Sequence, residues 1–308
     1  MLWPAVAMAL PPLTAHEALS GVFGSISLAS WIFLLVPQLI ENYKQGSAEG
    51  ISLAFLTVWF IGDVTNLIGA VWAGLVPTVI ALAIYFCFAD LILISQCVYY
   101  NLKNSRRARK ASTRSNDSVE APLLGRRDSS NIGLPGSHRR DSQASRRRRA
   151  SSLPTIADAE AGGSERVKNA LSIAGVCIVG AAGWAIAWRT GVWAPQPIDQ
   201  DVETEIALGA LILGYASAIC YLGARIPQII KNQREKSCEG LSLLFFILSL
   251  LGNATYGAGI LFHSQDKEYL LTNLPWLIGS LGTMVEDVTI FIQFRAFGEA
   301  EQTSAIEA

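Results

Sequence analysis

Leu34-Leu35-Val36-Pro37-Gln38-Leu39-Ile40-Glu41-Asn42-Tyr43 is an apolar run with a Pro-Gln pair near its end, and the chain says it twice. At a constant offset of 190 residues, without a gap, Gly24, Ser27, Pro37, Gln38, Ile40, Asn42, Ser47, Glu49, Gly50, Ser52, Leu53, Phe55, Gly62 and Gly69 recur as Gly214, Ser217, Pro227, Gln228, Ile230, Asn232, Ser237, Glu239, Gly240, Ser242, Leu243, Phe245, Gly252 and Gly259. Fourteen identities in one register are an internal repeat, which has to be explained before any single motif. In each copy a short polar loop follows Pro-Gln and ends in Glu-Gly-(Ile/Leu)-Ser, where the next apolar run begins.

The apolar runs set the class. Of 308 residues 51% are hydrophobic and only 16% charged, and 16 of the 24 Lys and Arg residues fall between Lys103 and Lys168. This is the profile of a polytopic membrane protein. Seven apolar stretches, at 21–40, 51–74, 76–100, 171–188, 206–230, 241–263 and 274–294, come close to or exceed the roughly 20 helical residues that cross hydrocarbon. The opening 1–20 carries Pro4, Pro11 and Pro12 and no basic residue, which suits a short tail outside the bilayer rather than a signal peptide. Cys87, Cys97, Cys177 and Cys220 sit inside apolar stretches and read as small buried hydrophobes, not as a disulfide framework.

The duplication reaches a third helix. Asp90 and Gln96 in the stretch that begins near Pro77 are matched, at the same six-residue interval, by Asp287 and Gln293 in the stretch that begins near Pro275. Each repeat is thus a three-helix unit, at 21–100 and 205–297, and the crossing at 167–190 is left over. A single extra crossing restores the orientation that three helices would otherwise invert. The expected fold is all-α: seven transmembrane helices as two parallel three-helix repeats joined by a linker helix, related by an axis along the membrane normal.

Basic residues near helix ends, among them Lys103, Arg106, Arg107, Arg109, Lys110, Arg114, Arg166 and Lys168, place the segment 101–166 in the cytosol. The N-terminus is then luminal, both Pro-Gln pairs lie toward the cytosol, and the tail 298–308 is cytosolic. The segment 101–166 is rich in Arg, Ser, Pro and Gly and is expected to be disordered. Its basic residues suit anionic lipid of the cytosolic leaflet rather than nucleic acid. Ser112, Ser129, Ser142 and Ser151 each follow two basic residues at positions minus three and minus two, a pattern that basophilic kinases read and that a charged phosphate would turn against membrane binding. Glu120-Ala-Pro-Leu123-Leu124 resembles an acidic dileucine signal for sorting adaptors.

Within the spans, Pro37 and Pro227 each remove a backbone donor and crowd the carbonyl four residues back, that of Phe33 or Gly223. Membrane helices tolerate prolines; the same Pro-Gln at the same place in both halves favours a shared mechanical role. Helix 2 carries Trp59, Gly62, Asp63, Asn66, Gly69, Ala70 and Ala73 as one stripe, answered in the other half by Ser249, Gly252, Asn253, Tyr256 and Gly259. The glycines read as close-packing positions. Asp63, Asn66, Asp90, Asn253, Tyr256 and Asp287 are the candidates for substrate or proton, because an ionisable group in mid-membrane is costly. A purely structural reading, in which Asp63 pairs with Asn66 or backbone, stays open, and Gln96 and Gln293 read as interhelical partners. Arg225 and Arg295 lie toward helix ends and are expected to snorkel to water, which leaves an excess of acid that suits a cationic solute.

The two Pro-Gln pairs, the run Gly62-Asp63-Val64-Thr65-Asn66-Leu67-Ile68-Gly69-Ala70, and Leu274-Pro275-Trp276-Leu277-Ile278-Gly279-Ser280-Leu281-Gly282 resemble the PQ-loop repeat family, and within it the vacuolar and lysosomal basic amino-acid transporters. The resemblance covers the seven helices but not the Arg/Ser-rich insert. It implies export of arginine, lysine or histidine from an acidic vacuole or lysosome coupled to proton movement, with Pro37, Gln38, Pro227 and Gln228 as hinges of alternating access. Relatives in the same architecture carry cystine or sugars, or recruit cytosolic partners, so a receptor or scaffold is the competing class. With no His-Glu-x-x-His, Gly-x-Ser-x-Gly or phosphate loop, no enzyme, cofactor or metal is expected.

Overall fold

Thr14 starts the first helix with a capping box. Its hydroxyl accepts from the Glu17 amide at 3.2 Å, and the Glu17 carboxylate accepts from the Thr14 amide at 3.4 Å. This cap extends the helix N-terminally of the apolar run, from 21 back to Ala15. At the other end Gly46, at φ +60°, turns the chain out of the helix, its amide bonded to the Tyr43 carbonyl at 3.3 Å. The computed structural model describes residues 13–46, 48, 53–115, 158–195, 207–236 and 243–307. Over these residues all regular structure is helical: α1 (Ala15–Gln45), α2 (Leu53–Trp72), α3 (Pro77–Ser115), α4 (Asp158–Arg189), α5 (Leu208–Glu235), α6 (Leu243–His263) and α7 (Lys267–Glu307). All seven are long and apolar enough to cross a membrane.

Other element ends differ from the sequence reading as well. Helix α3 continues past Tyr100 to Ser115 and α4 begins at Asp158, so both ends of the segment expected to be disordered are helical. Ala, Arg, Lys and Ser after Tyr100 carry enough helix propensity to prolong a helix already nucleated in the apolar span. Ser112 therefore lies on helical backbone, while Ser129, Ser142 and Ser151 fall outside the described residues. Helix α7 starts at Lys267 rather than near Pro275, which sits inside it, and runs on through the expected tail to Glu307.

The helices form a closed ring. In the first repeat α3 lies between α1 and α2; in the second, α7 lies between α5 and α6. The repeats then join through α1 against α6 and α2 against α5, while α4 packs on α1 outside the ring. Side-chain bonds fix the directions. Ser20 Oγ donates to the Gly259 carbonyl at 2.7 Å and Ser27 Oγ to that of Gly252 at 2.8 Å, so α1 and α6 run antiparallel. Ser280 pairs with Asn253 and Ser249 with Asp287, which makes α6 and α7 antiparallel. Arg225 pairs with Asp287 and Gln293 with Ile229, which makes α5 and α7 parallel. Hence α1 and α5, the first helices of the two repeats, point the same way.

The two repeat-to-repeat seams are copies of each other. A Cβ on Gly259 would stand 3.3 Å from the Ser20 carbonyl oxygen, and one on Gly69 would stand 3.1 Å from that of Ala210; Gly259 and Ala210 are the repeat counterparts of Gly69 and Ser20. About two turns away Gly252 faces Trp31 and Gly62 faces Tyr221, again counterpart against counterpart. Glycine lets each pair of backbones approach. Apolar side chains such as Ile61, Phe88, Ile178 and Val285 face outward, whereas Ser27, Asp63, Asp90, Arg225, Asn232 and Asp287 are buried. A polar interior inside an apolar coat is what a hydrocarbon surrounding requires.

Candidate functional site

Each Pro-Gln pair begins a relay to the third helix of its own repeat. Gln38 Nε2 donates to Asn42 Oδ1 at 2.8 Å, Asn42 Nδ2 to Gln96 Oε1 at 3.2 Å, and Gln96 Nε2 back to the Leu39 carbonyl at 3.1 Å. In the second repeat Gln228 Nε2 donates to Asn232 Oδ1 at 2.7 Å, Asn232 Nδ2 to Gln293 Oε1 at 3.0 Å, and Gln293 Nε2 to the Ile229 carbonyl at 3.0 Å. Every residue has its repeat counterpart in the same role. The glutamines at Gln96 and Gln293 are interhelical partners, as their spacing suggested, and the Pro-Gln glutamines are locked into the same networks.

Between the repeats lies a cavity, about 560 Å³ of empty space with the solvent at its opening included, to which all six ring helices contribute and α4 does not. Its walls are aromatic and polar: Trp31, Trp59, Phe86, Tyr221, Tyr256 and Trp276 supply rings, and Asn66, Asn253, Ser217, Ser280 and Thr283 supply amides and hydroxyls. Asn66 is held by Trp276, whose indole N–H donates to Asn66 Oδ1 at 2.6 Å across the seam between the repeats. Asn253 is held from two sides, its amide donating to the Ser249 carbonyl at 3.0 Å and its own carbonyl accepting from Ser280 Oγ at 2.8 Å. The cavity thus contains Asn66, Asn253 and Tyr256 of the six candidates.

The acidic candidates stand one layer behind the wall. Asp63 is fully buried and accepts from the Tyr221 hydroxyl at 2.8 Å, and the buried carboxyl group of Asp90 neighbours it. Asp63 does not pair with Asn66; the partner is Tyr221 from the other repeat. Asp63 and Asp90 are two buried carboxyl groups from neighbouring helices of one repeat, linked to the cavity through the Tyr221 ring.

Asp287 occupies the place of Asp90 in the second repeat but has a different neighbour. Arg225 Nη1 lies 2.6 Å from Asp287 Oδ1, and Ser249 bridges them, donating to Asp287 Oδ2 at 2.7 Å and accepting from Arg225 Nη2 at 3.0 Å. The Arg225 and Asp287 side chains are 2% and 1% exposed, so neither reaches solvent. This corrects two expectations. Arg225 does not snorkel, because Trp59, Phe245 and Phe246 surround its guanidinium at 5.6 to 6.0 Å and Asp287 holds its tip. The cavity wall is not anionic either: among the described residues its one ionised side chain is Arg225.

Tyr221 and the cavity-facing role of Arg225 escaped the sequence reading, in which Ser249 stands only as part of the α6 stripe and Trp276 only inside the motif at 274–282. The repeat register held the signal for one of them, since Tyr221 stands where Trp31 stands and both rings line the cavity.

The arrangement matches known proteins over nearly its whole length. The model of the PQ loop repeat matches residues 19–79 and 209–269. The vacuolar lysine transporter of Saccharomyces cerevisiae is 36% identical over 296 residues, which cover 93% of this chain and 96% of the relative. The vacuolar histidine transporter of the same yeast is 37% identical over 299 residues, 94% of this chain and 96% of the relative. The lysosomal amino acid transporter 1 homolog of Gallus gallus is 30% identical over 294 residues, 94% and 84% of the two chains. With two copies of the Pro-Gln unit, a parallel ring of six helices and relatives matched end to end, the chain belongs to the PQ-loop repeat family.

Proposed function

We propose that this protein carries cationic amino acids, arginine, lysine or histidine, across a vacuolar or lysosomal membrane, moving them toward the cytosol by alternating access driven by proton movement. The observation that carries this reading is the cavity between the two repeats, walled by aromatic rings and amides from all six ring helices, in a chain whose relatives are named vacuolar lysine and histidine transporters. Aromatic faces attract an organic cation without a buried carboxylate in direct contact. In this account Asp63 and Asp90 hold the coupling proton, and Tyr221 passes their state to the cavity wall. The Pro-Gln pairs act as hinges, and the relays to Gln96 and Gln293 make each hinge carry its third helix with it. The N-terminus is luminal and the C-terminus cytosolic, as the basic residues past Tyr100 on α3 and at the start of α4 argue. The segment 101–166 binds anionic lipid, with Ser112, Ser129, Ser142 and Ser151 as phosphorylation sites that loosen it.

The test is uptake of radiolabelled arginine, lysine and histidine by vesicles containing the purified protein, with and without a pH gradient. Saturable, gradient-dependent uptake of at least one supports the proposal. Uptake no greater than in protein-free vesicles for all three overturns it and leaves a receptor or scaffold as the better reading of the ring.

A further inference from the structure

We infer that Arg225 is the subsite for the α-carboxylate of the transported amino acid. The inference rests on the transport reading above and adds to it the feature that separates an amino acid from a mere organic cation.

Four observations carry it. Arg225 lies on the cavity wall, whereas its counterion Asp287 does not. Among the described residues of that wall it is the one ionised side chain, so the wall offers a substrate carboxylate a single charged partner. Its guanidinium pairs with one oxygen of Asp287 and donates to Ser249 Oγ, and a guanidinium has five N–H donors in a planar fork, so donors remain for a second carboxylate. Finally, three aromatic rings and Asp287 fix the guanidinium in place, so that little ordering is left for the substrate to impose.

The chemistry is consistent with a zwitterionic head and a cationic tail. Arg225 and Asp287 cancel each other, which leaves the empty wall neutral overall and its guanidinium able to bridge two carboxylates, one fixed and one transported. The substrate's cationic tail then faces rings such as Tyr256 and Trp276 rather than a like charge. The repeat counterpart of Arg225 is Leu35, so the carboxylate end can be read from one repeat only, and the substrate is oriented across the pseudo-twofold axis. A wall built to pair with a carboxylate rejects an analogue that lacks it, because the charged donors are then left unpaired.

The test uses the full-length protein in vesicles and measures how far unlabelled arginine, agmatine (arginine without its carboxylate) and arginine methyl ester inhibit radiolabelled lysine uptake. For the wild type, agmatine and the ester are expected to be at least ~100-fold weaker than arginine. Arg225→Gln alone strands Asp287 and is expected to fold poorly, so the informative variant is Arg225→Gln with Asp287→Asn, which keeps the layer neutral. Once its melting profile shows that it is folded, direct uptake of labelled arginine and labelled agmatine by this variant should differ little. Agmatine inhibiting as well as arginine in the wild type overturns the inference, and so does a folded double variant that keeps the wild-type preference. Uptake without discrimination sinks the carboxylate subsite alone, whereas no wild-type uptake of arginine, lysine or histidine sinks the transport reading and the subsite with it.

Discussion

Asp90 and Asp287 stand at equivalent places on the third helices of the two repeats, yet one neighbours the carboxyl group of Asp63 and the other pairs with the guanidinium of Arg225 at 2.6 Å. The cause lies in two pairs of counterparts: Asp63 is answered by Asn253, and Arg225 by Leu35. A duplicated fold has thus kept a carboxylate at the same place on each third helix and changed its neighbour, a second carboxyl group in the first half and a fixed cation in the second.

The fixed pair is expected to be structural as well as functional. Asp287→Asn leaves the buried Arg225 without its counterion, and breaking a buried ion pair by removing one partner costs about 3–5 kcal/mol. Thermal unfolding in detergent should show a markedly lower midpoint for this variant, and adding Arg225→Met should recover part of the loss. A single variant that melts with the wild type would contradict the pairing.

The Pro-Gln relays predict coupling between helices. Alanine at Asn42 and at Gln96, singly and together, should give an interaction energy of roughly 0.6–1.7 kcal/mol in a double-mutant cycle, the range of interhelical hydrogen bonds in membranes. The same cycle on Asn232 and Gln293 should give a similar value. Additive effects in both halves would mean that the relays contribute nothing.

The seams between repeats predict a position-dependent response to bulk. Gly69→Leu and Gly259→Leu each drive a side chain into facing backbone at 3.1 to 3.3 Å and should cost about 1–3 kcal/mol or more. Gly183→Leu, with open space around it on α4, should leave the unfolding midpoint unchanged or slightly raised. Equal responses at all three sites would argue against the ring as described.

Much of this was legible in the sequence. The 190-residue register revealed two units, the odd crossing implied that they run parallel, and the glycine stripe on α2 and α6 marked the surfaces that meet. The glutamines six residues after Asp90 and Asp287 pointed to their interhelical role. What the linear order concealed was pairing across the ring. Arg225 lies close to a helix end in sequence, so snorkelling looked natural; only the placement of α6 and α7 around it puts Asp287 and two phenylalanines at its tip. The partner of Asp63 was hidden for the same reason, since Tyr221 is 158 residues away and reaches it across the seam between repeats. Helix ends also drifted, because Thr14 and the residues after Tyr100 prolong helices beyond their apolar cores.

The central claim is that a proton held between Asp63 and Asp90 is coupled to movement of a cationic amino acid, and the most direct measurement is pH-gradient-driven arginine flux in vesicles for the wild type, Asp63→Asn and Asp90→Asn. The account predicts that an acid compartment on the luminal face accelerates wild-type flux out of it. Both variants should keep arginine exchange at equal pH and lose that acceleration. Variants that fold, exchange arginine and still respond to the gradient as the wild type does would contradict it.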